Sequence, residues 1–70
     1  MKHKTPEHIE IVSDTTVVMH YPARVYPDMQ DCIRQAQAAC PGVRTVHTVC
    51  GHVPDTVYQL GADGRWLAYD

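Results

Sequence analysis

Only one stretch of this chain repeats its apolar residues at helical spacing. Met29, Cys32, Ile33, Ala36 and Cys40 form a stripe, with Gln30, Arg34, Gln35 and Gln37 mainly outside it. Asp28 is placed to cap the segment or Pro27 to occupy its first turn, Asp28 and Asp31 favour the positive end of the dipole, and Pro41-Gly42 closes it. A helix over 28–40 is therefore expected, with alanines at 36, 38 and 39 permitting close approach to a sheet. Everything else with a pattern is written in the period of two that strands require.

Five strands are expected around that helix. Residues 8–12 and 16–21 alternate and are rich in β-branched side chains, with Ser13-Asp14 as the turn between them. A loop over 13–16 sets Val12 opposite Val17 and Ile11 opposite Val18. The prolines at 22 and 27 exclude both ladder and helix from the segment between them. A third strand follows at 43–50, and two more at 56–60 and 65–69. Asp63-Gly64 between the last two is a type I′ hairpin signal. Such a loop pairs Leu60 with Leu67, Tyr58 with Tyr69, and Gly61 with Trp66, where a ring can cover a glycine. The expected fold is α+β: a single helix packed on a mostly antiparallel sheet, in the order β-β-α-β-β-β. Residues 1–7 read as a flexible leader and 8–70 as one domain, with no repeat or linker within it. The crossover from second to third strand leaves the strand order open.

Seventy residues with 44% apolar and 20% charged composition suit a small globular unit. The core of so short a chain supplies only about 3–5 kcal/mol, so support from a disulfide, a metal or a second subunit is the first thing to seek. Three cysteines, an odd number, do not suit a paired disulfide framework. Cys32 and Cys40, about 12 Å apart along one helix, cannot bond to each other. With no apolar stretch after the basic start, the N-terminus is not read as a signal peptide, and no segment approaches a membrane span. A reducing, cytoplasmic setting with free thiols is the expectation.

Formal net charge is −2 and the six basic residues are scattered, which argues against a nucleic-acid binder, whose affinity comes from concentrated positive charge. That class survives as an alternative, an accessory factor, that depends on whether arginines 34, 44 and 65 meet in space. A second alternative is a metal site. His47, Cys50 and His52 offer imidazole and thiolate ligands, with His20 or Cys40 to complete the set. Strand parity places Cys50 and His52 on one face and His47 on the other unless Gly51 bends the chain. Cys50, His52 and Asp55 on one turn form a weak arrangement for a thiol catalyst, whose groups normally come from separate elements. No phosphate loop, paired catalytic carboxylates or HExxH pattern is present. An enzyme is not expected, and no cofactor is implied.

One short helix cannot cover both faces of five strands, so apolar surface is left for something else to cover. Tyr58, Trp66, Tyr69 and Val18 are the candidates for it. The expectation is a non-enzymatic interaction module, a homodimer or the partner of another protein, because twofold homodimers close such surfaces most simply.

Overall fold

A computed structural model of the chain describes residues 5–25, 27–51 and 55–69. Its elements are β1 (His8–Ile11), β2 (Thr16–Tyr21), α1 (Met29–Ala39), β3 (Thr45–Cys50), β4 (Thr56–Leu60) and β5 (Trp66–Tyr69). They form a five-stranded sheet in the order β1-β2-β3-β4-β5. β2 and β3 run parallel and every other neighbouring pair is antiparallel. The α+β architecture and the order of elements are as the residue pattern implies. The parallel pair resolves the open crossover: α1 is the connection that parallel neighbours need.

The centre of the sheet shows why the chain folds this way. Along β2, Val17, Met19 and Tyr21 are buried while Thr16, Val18 and His20 are half-buried. Along β3, Val46, Thr48 and Cys50 are buried and Thr45, His47 and Val49 half-buried. The buried sets meet Cys32, Ile33 and Ala36 of α1, with Cys40 and Val43 closing the end of the layer. The helical stripe read from the sequence is thus the surface that packs, chiefly over β1, β2 and β3. The Cys40 thiol donates to the Asp14 carbonyl at 3.1 Å, tying the end of α1 to the β1–β2 loop. Arg44 and Thr45 N–H groups both donate to the Thr15 carbonyl, which aligns the start of β3 with β2.

Both hairpins depart by one residue from the expected register. In the first, Ile11 faces Val17 and Ile9 faces Met19. The loop opens earlier than expected, with Val12 and Ser13 N–H groups both donating to the Thr16 carbonyl. The expected pairing of Ile11 with Val18 would have turned Ile9, which packs against the core, away from it; the apolar pattern overrules loop length. In the second, Leu60 faces Trp66, Gln59 faces Leu67, Tyr58 faces Ala68 and Val57 faces Tyr69. Asp63 has an ordinary negative φ, and Gly64 alone is left-handed at φ +83°. The Gly61 N–H donates to the Arg65 carbonyl and the Gly64 N–H to the Gly61 carbonyl. This is the three-residue loop with a left-handed final glycine, not the two-residue type I′ turn. The Asp63 carboxylate favours it by accepting the Arg65 N–H at 3.1 Å.

Two further details fix the ends. Gly51 leaves β3 at φ +60°, where a Cβ would lie 3.0 Å from Ala23, so neither its backbone nor its surroundings welcome a side chain. The proline-bounded segment holds a turn closed by the Val25 N–H on the Pro22 carbonyl, with Arg24 left-handed at φ 71°. Of the expected leader, residues 1–4 lie outside the described residues, while the Glu7 N–H already bonds the His20 carbonyl.

Candidate interaction surface

The register sorts the expected surface residues onto two faces. Tyr58 is 9% exposed and belongs to the core under α1; Trp66, half-buried, packs against that core from the same side. Val18 and Tyr69 lie on the opposite face, Val18 half-buried and Tyr69 50% exposed. A direct Tyr58–Tyr69 pair would set both rings on one face; the single-residue shift puts Val57 opposite Tyr69 instead.

Directly opposed residues point the same way, so the registers define the open face. One row crosses all five strands as Glu10, Val18, His47, Val57 and Tyr69. A second runs Thr16, Thr45, Gln59 and Leu67, and a third His8, His20 and Val49. Apolar side chains dominate toward β5, where Val57, Leu67 and Tyr69 adjoin. Titratable ones dominate toward β1. There the His8 and His20 rings lie 5.6 Å apart and His20 Nε2 sits 3.5 Å from a Glu10 carboxylate oxygen. Near the middle, His47 Nε2 is 3.0 Å from Asp55 Oδ2. Val49, Val57 and Leu67 were not singled out from sequence. Their parity with Val18 and Tyr69 carries the signal, once the second hairpin has the right loop.

The other candidate constellation is dispersed. Cys50 is buried on the helix side, whereas His47 and His20 stand on the open face, as strand parity implies for His47. His52 lies outside the described residues. Among the described residues no three His, Cys, Asp or Glu side chains converge to hold a metal ion. All three cysteines are free and buried. Burial pushes the thiols of Cys32 and Cys50 above their ordinary range, whereas a nucleophilic cysteine needs its thiol pKa lowered. Burial also raises the Tyr21 phenol far above its usual range, assisted by its hydrogen bond to Cys32 Sγ at 3.4 Å. These groups fill the core as neutral side chains. No described helix is long and apolar enough to cross a membrane.

The arginines divide as well. Arg34 of α1 and Arg65, next to β5, line one cleft beside Trp66. Arg44 sits at the entry to β3, its carbonyl accepting the Leu60 N–H. Searches against protein-family models, curated proteins and solved structures found no match to this chain.

Proposed function

We propose that this chain is a non-enzymatic interaction module that pairs with a second copy of itself through the open face of its sheet. The observation that carries the reading is the one-sided cover: α1 packs on one face, and the other presents Val18, Val49, Val57, Leu67 and Tyr69 with no layer above them among the described residues. Val57, Leu67 and Tyr69 adjoin toward β5, and His47, His20, His8 and Glu10 flank them toward β1, so an apolar patch is bordered by polar groups as at a protein interface.

A second copy suits the area. Five strands of this length span roughly 24 Å by 17 Å, about 400 Å² of flat face per protomer. Stable complexes bury about 800 Å² per partner, so this face supports a dimer that dissociates readily on dilution. A twofold pairing also sets the same patch against itself, so one mutation acts twice.

Sedimentation velocity over a wide concentration range tests the reading. A monomer–dimer equilibrium is expected, moved toward monomer at least tenfold by Val57→Asp, which places a charge within the apolar patch beside Tyr69. A strict monomer at millimolar concentration, or a dimer indifferent to Val57→Asp, removes the reading.

A further inference from the structure

Because α1 lies chiefly over β1 to β3, the helix side of the sheet has a step beyond it. Along that step runs a cleft of about 580 Å³, lined by Met29, Ile33 and Arg34 of α1 and by Arg65 and Trp66 across from them. Sites for small molecules occupy about 300–1,000 Å³. The cleft combines an apolar base, an indole and two guanidinium groups on opposing walls, in a chain whose net charge is −2.

Both arginines are available to a ligand. Their side chains are 68% and 82% exposed, and each meets a carboxylate through a single nitrogen, Arg34 with Asp31 at 3.5 Å and Arg65 with Asp63 at 3.9 Å. The Arg65–Asp63 pair is exposed on both sides and holds weakly, while Asp31 beside Arg34 is 20% exposed. A guanidinium presents five N–H donors in a planar fork, so most of its donor capacity lies outside these pairs. The donors outside these pairs are left for a ligand.

We propose that this cleft binds a phosphomonoester carried on a planar aromatic ring, the chemistry of a nucleoside monophosphate. A phosphomonoester carries close to two negative charges at neutral pH and matches two cations better than a single carboxylate does. Arginine is suited to phosphate because two parallel N–H groups meet two oxygens. The base stacks on the face of Trp66, a contact tolerant of base identity because every base has a π-face. Met29 and Ile33 cover the apolar edge of the ring. The cleft lies on the opposite side of the sheet from the proposed dimer face, so the two readings stand or fall separately.

Trp66 is the only tryptophan in the chain and so reports on the site. Adenosine monophosphate is titrated into the full chain at low salt, following tryptophan emission and, in parallel, heat by calorimetry. Saturable binding is expected, with Arg34→Ala and Arg65→Ala each weakening it about tenfold, the scale of a lost hydrogen bond to a charged group. Adenosine, without the phosphate, binds at least about tenfold more weakly for the same reason. Circular dichroism confirms that these surface variants remain folded. Failure to saturate overturns the proposal, as does binding that survives in the Arg34→Ala, Arg65→Ala double variant within about twofold, far below the change that two such lost contacts produce. A single-stranded oligonucleotide that binds where the mononucleotide does not also overturns it, by assigning the cleft to a polymer.

Discussion

Val17 and Val18 are adjacent in β2, identical in chemistry and opposite in circumstance. Val17 is fully buried beneath α1, while Val18 is half-buried on the face that α1 never reaches. The same contrast runs through β3, where Val46 is fully buried and Val49 only partly so. Strand-forming residues alone therefore do not decide which face becomes a core; the cover does. On the helix side, apolar positions meet a complementary stripe and become load for the fold. On the other, the same residue types remain surface, and their consequences belong to association.

The largest test of that contrast is a cavity in the covered face. Met19 is fully buried and among the largest side chains that are. Met19→Ala should cost about 2–5 kcal/mol, against a total stability of about 3–5 kcal/mol for a chain of this length. Urea denaturation followed by circular dichroism should find the variant largely unfolded even without denaturant. A loss below about 1 kcal/mol, the scale of an exposed substitution, would mean that α1 does not seal this face.

The covered face also predicts an alkaline weakness. Tyr21 and Cys32, 4% and 0% exposed, hold their protons above their ordinary values of 10.0 and 9.0, chiefly because burial disfavours the charged forms. Well below pH 9 both folded and unfolded chains keep these protons, and stability is complete. As pH rises past those ordinary values, the unfolded chain releases protons that the folded chain retains, and stability falls. Each group then contributes a slope of about 1.4 kcal/mol per pH unit, with Cys50 acting in the same direction. Urea midpoints at pH 7, 9, 10 and 11 should decline in that order, and Tyr21→Phe should flatten the last interval. The open face supplies no such group to the core, so an unchanged midpoint at pH 10 would break the contrast between faces.

The fold was legible in the residues because its two periods are plainly written: the stripe from Met29 to Cys40 and the alternation from Thr16 to Tyr21 each admit one element. The faces were less legible. A hairpin turn such as Asp63-Gly64 fits either a two-residue or a three-residue loop, and the choice moves every later side chain to the other face. Local chemistry at Asp63, which accepts the Arg65 N–H, decides for the longer loop, and nothing in the alternation of β5 reveals it. Tyr58 and Trp66 also read as surface with Tyr69, though the structure places Tyr58 in the core and Trp66 against it. The cleft was hidden more deeply. Arg34 and Arg65 are distant in sequence, and only the position of α1 across the sheet brings them to one step.

Gly64 tests the left-handed end of that loop. At φ +83° it is left-handed, yet a Cβ there meets nothing within 4 Å. Gly64→Ala should therefore cost only the backbone preference, about 1 kcal/mol, readable as a lower urea midpoint with an unchanged slope. Gly51→Ala is the sharper companion, since the added Cβ also meets Ala23 at 3.0 Å and should cost more. Equal losses at the two glycines would show that the close approach of Ala23 does not constrain the exit from β3.

The smallest expected change in folding is also the most discriminating. Val18→Thr keeps shape and strand propensity and adds one hydroxyl to the open face. In the monomer that hydroxyl meets water, so folding stability should stay within about 0.5 kcal/mol. Val17→Thr next to it buries the same hydroxyl under α1 and should cost about 1–3 kcal/mol. If a second copy covers the open face, the Val18→Thr hydroxyl loses water only on association, and the dimer should weaken about tenfold for about 1.4 kcal/mol while the monomer is unmoved. Urea denaturation at low concentration and sedimentation at high concentration separate the two effects. A Val18→Thr variant that changes neither would leave this face in contact with water, and a variant that loses folding stability as Val17→Thr does would mean that it was never open.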